Sequence, residues 1–157
     1  MRSILAGIGI VVFWLAWPFW WVYFPLSERT RLLLVCDGKI LVLKGWLGTG
    51  WWILPGGGLH KNEDKLRGLL REVNEETGIV LSPKQVRPLL RAEFRQTGLH
   101  FMCNYFVAEL HSRPTTKKQV YEIRELAWMR PEALQRNQVS VDVVTALRAY
   151  DSGIQLG

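Results

Sequence analysis

The sequence contains few cysteines and lacks the features of a disulfide-rich or repeat protein. Two cysteines in 157 residues exclude a small domain held together by a network of disulfides. Cys36 and Cys103 lie in apolar, strand-like stretches, so we expect both to be reduced core residues, and nothing requires a bridge between them. No internal repeat, low-complexity linker or nucleic-acid-binding motif is present. The length leaves room for one domain with its own core, and nothing indicates nucleic acid as a partner.

Charge is absent from the amino-terminal stretch. Residues from Ile4 to Leu26 include no charged side chain, and a transmembrane helix needs about 20 apolar residues. Aromatic residues crowd the second half of the stretch, as is typical of a membrane–water interface. We therefore expect residues 1–27 to form one apolar helix that anchors the chain in membrane lipid. A cleaved signal peptide and an interfacial arm are the alternatives.

The basic residues that follow this stretch bear on its orientation. Lysine and arginine side chains near a membrane span favour the cytoplasmic side, and more of them follow the apolar stretch than precede it. The expected protein is therefore single-pass, with the domain of residues 28–157 in the cytoplasm.

An amphipathic helix is predicted after a glycine-rich loop, within the segment GGLHKNEDKLRGLLREVNEETGI at 57–79. Its apolar residues recur at helical spacing and are Leu66, Leu69, Leu70 and Val73. Asn62 is expected to cap the start of this helix. Gly78 is placed to end it in a left-handed conformation.

Three glutamates lie together on this helix. Glu72, Glu75 and Glu76 stand at i, i+3 and i+4, on the side away from the leucines. Like charges at this spacing repel, and a cation between them reverses the sign of that energy. Oxygen ligands alone favour Mg²⁺, or alternatively Mn²⁺. Gly68 lies on the same side, where we expect it to leave room for a metal-bound substrate.

Glycines before the helix are expected to line the substrate. The run from Leu54 to Gly58 lets the backbone approach a ligand closely, and the Gly56 carbonyl is a candidate for the metal shell. We expect Gly57 and Gly58 to contact substrate. His60 in the following loop and Trp51 before it are further candidates, the latter by stacking on a base.

The complete spacing resembles the signature box of the Nudix hydrolases, or MutT-like proteins. It reads glycine, five residues, Glu63, seven residues, Arg71-Glu72-Val73, one residue, Glu75-Glu76, one residue, Gly78-Ile79. Members of this family hydrolyse a nucleoside diphosphate linked to another group, by metal-assisted attack of water on the pyrophosphate bridge. The resemblance implies an α/β fold, a three-layer α/β/α sandwich with a mixed sheet, preceded here by the apolar helix.

Residue roles follow from the resemblance by position. The implied metal ligands are Glu72, Glu75, Glu76 and the Gly56 carbonyl. The implied catalytic and supporting residues are Glu72, Glu75, Glu63 and Arg71. The general base differs between family members and is sometimes a later glutamate, for which Glu122 and Glu125 are the candidates. Glu122 is expected to face the substrate.

Other elements are predicted from apolar runs and turn residues. Asp37-Gly38 between two such runs indicates a β-hairpin. The predicted strands are 31–36, 40–43, 51–54, 85–94, 100–110 and 124–129, and the predicted helices are 131–136 and 139–150.

The substrate is left open within one chemical class. Motifs that mark the NADH, ADP-ribose, dinucleoside polyphosphate and coenzyme A subfamilies are absent from their usual positions. Nucleoside triphosphates, nucleotide sugars and related pyrophosphates, including lipid-linked ones, remain. The alternative function is a catalytically silent Nudix-fold module that senses a nucleotide or serves as a scaffold at the membrane, and the intact glutamates argue against it. A homodimer is also left open.

Overall fold

A computed structural model describes residues 28–46, 50–96, 99–117, 119, 121–134 and 138–153, with backbone alone for residues 95, 96, 99 and 100. The strands are β1 (Arg29–Cys36), β2 (Lys39–Gly45), β3 (Val86–Gln96), β4 (Leu99–Leu110) and β5 (Ile123–Met129). The helices are α1 (Lys65–Thr77) and α2 (Val141–Asp151), with 3₁₀ turns at Pro83–Gln85 and Pro131–Ala133.

The five strands form one mixed sheet in the order β3-β4-β1-β2-β5. Strands β1 and β4 pair in parallel, and the other neighbours are antiparallel. The hairpin between β1 and β2 turns at Asp37 and Gly38, both with positive φ, as the Asp-Gly pair predicts. Predicted and observed strand ends differ here by one or two residues.

The sheet lies between two apolar layers, because successive residues of its central strand point to opposite faces. Leu32 and Leu34 of β1 pack with Leu69 and Val73 of α1. Leu33 belongs to the other cluster, which contains the buried face of α2: Val143, Ala146 and Ala149. The predicted α/β fold with a mixed sheet is confirmed, and both cysteines are buried and free, as expected.

Two predicted elements are shorter than expected. Residues 51–54 form no continuous strand. They make two isolated β-bridges, one from Ile53 to Leu43 and one from Trp52 to Val139. The helix predicted at 131–136 is a 3₁₀ turn over Pro131–Ala133, and residues 135–137 lie outside the described part of the chain.

The predicted single-pass membrane location is contradicted. No helix among the described residues is long and apolar enough to cross a membrane. Helices α1 and α2 contain 13 and 11 residues, whereas a span needs about 20. Residues 1–27, on which the predicted anchor rested, lie outside the described residues.

Candidate active site

The glycine-rich loop is held against the first strand by backbone hydrogen bonds. Leu32 N donates to Pro55 O and Thr30 N donates to Gly57 O, each at a distance of 2.9 Å. Gly56 between them has φ of 127°, and a Cβ there would collide with the Thr30 carbonyl. Only glycine therefore allows the loop to pass this close to the sheet.

Helix α1 begins at a different cap from the one predicted. The Asp64 carboxylate accepts a 2.9 Å hydrogen bond from Arg67 N and is the N-cap, whereas Asn62 has φ of 60° and lies in the preceding turn. The prediction for Asn62 was wrong because this asparagine takes the left-handed conformation that the turn requires. Gly78 ends the helix with φ of 70°, as predicted.

Arg71 gathers the carboxylates on the exposed side of α1. Its Nε and Nη2 bind both Glu63 oxygens at 2.9 and 3.0 Å. Its Nη1 donates to Glu72 at 2.8 Å and to Glu75 at 3.2 Å. The pKa of Glu63 falls to about 2, chiefly because of the hydrogen bonds from Arg71. One guanidinium faces three carboxylates, so the cluster keeps an excess of negative charge.

Glycines on either side of the cluster have different roles. A Cβ at Gly57 would collide with the Glu72 carboxylate, so this glycine lets Glu72 lie directly against the loop. A Cβ at Gly68 would collide with Leu59 and come within 3.0 Å of a Glu63 oxygen. Gly68 therefore makes room for protein side chains, and the expectation that it leaves space for a substrate is wrong.

Glu76 differs from the other glutamates because it is buried. Glu76 is only 8% exposed to solvent, and its Oε2 accepts a 2.8 Å hydrogen bond from Gly56 N. Burial raises the pKa of Glu76 to about 7, against the hydrogen bond from Gly56 and the charge of Arg31, which lower it. The charges of Glu72 and Glu122 raise this pKa further.

The later glutamate is brought close by a segment that crosses the end of α1. Lys117 N donates to Thr77 O at 2.7 Å, and Gln119 N donates to Glu76 O at 3.1 Å. Glu122 follows three residues later, within electrostatic range of Glu76. The other candidate, Glu125, lies in β5 and pairs with Lys44 and Arg124. The structure thus favours Glu122 over Glu125 as an additional site carboxylate.

An ion pair under the loop was not foreseen as part of the site. Arg31 Nε donates to Asp142 Oδ2 at 3.1 Å, and Arg31 Nη1 donates to the Gly56 carbonyl. Asp142 Oδ2 also lies 3.4 Å from Leu54 N. Burial lowers the pKa of Arg31, but the charges around it, chiefly Asp142, raise it overall. The available signal in the sequence was a charged residue at the head of the apolar run RLLLV.

The remaining predicted contacts lie at the rim. His60, with its side chain 72% exposed, lines a groove of about 610 Å³. The other residues of that groove are Asn62, Glu63, Asp64, Arg67 and Arg71. Gly58 offers its carbonyl to Arg71 at 3.3 Å. Trp51 is 37% exposed and precedes Trp52, whose backbone pairs with residues 138–140 before α2. His60 therefore lies within the box segment 57–79, whereas Trp51 lies in the segment next to α2.

The donor set suits a hard divalent cation, although its members are not gathered around one point. Within the described ranges, no three histidine, cysteine, aspartate or glutamate side chains are close enough to form a ready metal cage. Arg71 draws Glu72 and Glu75 toward itself while Glu76 turns to Gly56. Carboxylate and carbonyl oxygens are nevertheless the ligands that Mg²⁺ and Mn²⁺ prefer. The negative charges of Glu72 and Glu122 repel that of Glu76, and a bound cation relieves such repulsion.

A glycine loop seated on a mixed sheet and facing an acidic helix defines an α/β/α domain of the Nudix type. The family model for the NUDIX domain matches residues 25–148, and the chain belongs to the Nudix hydrolase family. This family acts on pyrophosphate bonds and generally uses divalent metal ions, which confirms the predicted enzyme class.

Individual relatives of the chain are also named as Nudix hydrolases. The chain is 39% identical over 113 residues to Nudix hydrolase 6 of Arabidopsis thaliana, a match that covers 68% of this chain and 36% of that protein. It is 30% identical over 108 residues to the uncharacterised Nudix hydrolase YvcI of Bacillus subtilis, covering 66% and 65%. The chain thus spans about a third of the Arabidopsis protein and just under two thirds of the Bacillus protein.

Solved structures share the fold. A MutT Nudix hydrolase from Burkholderia pseudomallei superposes with a TM-score of 0.70 at 24% identity, covering 79% of this chain and 97% of that one. An Ap4A hydrolase from C. elegans superposes with a TM-score of 0.67 at 17% identity, covering 81% and 96%. At this level of identity the likeness concerns the fold alone.

Proposed function

We propose that the chain hydrolyses a pyrophosphate bond in a nucleoside diphosphate linked to another moiety, such as a nucleoside triphosphate or a nucleotide sugar. One observation carries this proposal: Arg71 holds Glu63, Glu72 and Glu75 together beside the glycine loop. Acidic side chains that merely solubilise a helix have no reason to share one half-buried guanidinium.

Each residue of the cluster has a proposed part. Glu72, Glu75, Glu76 and the Gly56 carbonyl would hold Mg²⁺ or Mn²⁺. When bound, the metal polarises phosphoryl oxygens and lowers the pKa of a coordinated water. Glu63 and Arg71 fix the helix carboxylates in place. Glu72, whose carboxylate packs against Gly57 of the loop, is the proposed acceptor for the proton of the attacking water.

The substrate would extend from the loop along the groove lined by His60 and Arg71. A Cβ at Gly58 would meet nothing within 4 Å, so the backbone there is open to the phosphates of the substrate, and Gly57 is proposed to contact them beside the Glu72 carboxylate. Trp51 is the proposed contact for a base, and Glu122 supplies a further negative charge near Glu76. The residues that line the groove all have polar or charged side chains, and two of them are arginines that can pair with a phosphate chain.

The test is a turnover screen with Mg²⁺ against nucleoside triphosphates, nucleotide sugars and dinucleotides, with released phosphate or pyrophosphate as the signal. Glu75→Gln should lower turnover of the accepted class by about 100-fold or more. Glu109→Gln is the matched control, because Glu109 is an exposed glutamate paired with Arg87 on β4, outside the site. It should leave turnover unchanged.

Two results would count against the proposal. Full turnover in Glu75→Gln would refute the assigned role of the carboxylate cluster. Thermal stabilisation by one nucleotide without turnover of any compound would favour the sensing module instead.

A further inference from the structure

Asp142 is fixed by four donors on three segments of the chain. Its Oδ1 accepts from Ser140 Oγ and from Val143 N, the latter at 3.0 Å. Its Oδ2 faces Arg31 Nε at 3.1 Å and Leu54 N at 3.4 Å. A carboxylate has about four lone-pair sites, and these contacts engage all of them. Asp142 therefore cannot turn without losing partners in α2, β1 and the glycine loop.

Arg31 connects Asp142 to the glycine loop. Its Nε is held by Asp142, and its Nη1 donates to the Gly56 carbonyl. The two side chains are 13% and 12% exposed, so water competes little for either partner. A guanidinium presents its donors in a rigid fork, so fixing Nε also fixes the direction of Nη1.

We propose that Arg31 is a positioning residue that orients the Gly56 carbonyl for a divalent cation, and that Asp142 acts through Arg31. The inference rests on the proposed function, because that function makes Gly56 O a metal ligand.

Gly56 needs such support because its own conformation is unusual. With φ of 127° it lies where other residues rarely do, and glycine has the largest backbone freedom to lose. Its amide is held by Glu76 Oε2 and its carbonyl by Arg31, so both of its backbone polar groups are fixed. A carbonyl oxygen has two lone pairs, so the bond to Arg31 leaves one for a cation.

The direction in which cation affinity changes when Arg31 is replaced distinguishes a positioning role from a purely electrostatic one. An arginine near a metal site repels the cation, so removing its charge alone should strengthen binding. Removing a support for the carbonyl should weaken it. Arg29 provides the comparison, because it lies on the same face of β1 with its guanidinium 4.8 Å from the centre of the Phe101 ring.

The experiment measures Mn²⁺ binding to the full chain by the electron paramagnetic resonance signal of free Mn²⁺. Arg31→Met should raise the dissociation constant about tenfold or more, the loss typical of residues that orient metal ligands. Arg29→Met should leave it unchanged or lower it. In the metal-free protein, amide hydrogen exchange at Leu54 and Gly56 should become faster in Arg31→Met. Exchange at Gly68, whose amide donates to Asp64 O, should not change.

The outcomes are distinct. Wild-type Mn²⁺ affinity in a folded Arg31→Met would overturn the inference. If that variant does not fold, Arg31→Lys replaces it, because lysine keeps the charge but cannot bridge Asp142 and Gly56. Arg31→Lys should then weaken Mn²⁺ binding, and unchanged affinity would overturn the inference. If the wild type binds no Mn²⁺, or Glu75→Gln binds it equally well, the proposed function itself fails.

Discussion

The backbone amide of Gly56 donates a 2.8 Å hydrogen bond to Oε2 of Glu76, and this bond joins the glycine loop to the acidic helix. The contact is buried, and burial raises the pKa of Glu76 from 4.5 to about 7. In the metal-free protein the ionised carboxylate therefore opposes folding, whereas the protonated form does not.

The first prediction concerns the pH dependence of stability without metal. Because the folded pKa exceeds the unfolded one, ionising Glu76 costs nothing below about pH 4.5 and its full penalty above about pH 7. Glu76→Gln removes this penalty. The free energy of unfolding of the variant, relative to wild type, should rise by about 3 kcal/mol between pH 4 and pH 8. Chemical denaturation in the presence of a chelator measures this difference.

Glu75→Gln is the control for that experiment. Glu75 lies one residue earlier on the same helix, but its side chain is 51% exposed. Its relative stability should change much less over the same pH range. A flat difference for Glu76→Gln would show that water reaches this carboxylate freely.

A second prediction distinguishes three adjacent glycines. Gly56→Ala should lower the free energy of unfolding by about 2–4 kcal/mol, because a Cβ at φ of 127° would meet the Thr30 backbone. Gly57→Ala should cost less stability and more activity, because its Cβ would displace the movable carboxylate of Glu72. Thermal unfolding and turnover measured together separate the two effects.

Gly58→Ala is the matched control, since a Cβ there meets nothing within 4 Å. Its stability should change by about 0.5 kcal/mol or less. Equal losses in all three variants would mean that the loop requires glycine for conformational freedom alone.

Local patterns in the sequence were enough to predict one part of this molecule. The Asp37-Gly38 hairpin and the end of α1 at Gly78 depend on residues a few positions apart, and both were found. The cap was misplaced because Asn62 and Asp64 are both good capping residues, and the choice depends on the turn between them.

Features that depend on the folded chain could not be predicted. The pairing of Arg31 with Asp142 joins residues 111 positions apart, and nothing local marks the two as partners. The Glu76 side chain is buried where its Oε2 accepts from Gly56 N, a contact between residues 20 positions apart. The first part of the helix predicted at 131–136 shows the opposite error, because Pro131–Ala133 form a 3₁₀ turn and Leu134 after it is extended.

The third prediction concerns Arg71. Arg71→Lys keeps the positive charge but loses the fork that binds both Glu63 oxygens and reaches Glu72. We expect activity to fall by about 10- to 100-fold, as for other residues that orient metal ligands. The control is Arg87→Lys, which alters an exposed pair with Glu109 and should leave activity unchanged. Full activity in Arg71→Lys would show that charge alone suffices.

The last prediction concerns the start of α1. Asp64→Ala removes the carboxylate that accepts from Arg67 N, so the free energy of unfolding should fall by about 1 kcal/mol. Asn62→Gly is the control. Since Asn62 has φ of 60° and is not the cap, glycine there relieves a left-handed conformation and should change stability by less than about 0.5 kcal/mol. If instead Asp64→Ala changes stability as little as Asn62→Gly, the Asp64 carboxylate does not cap α1 in solution.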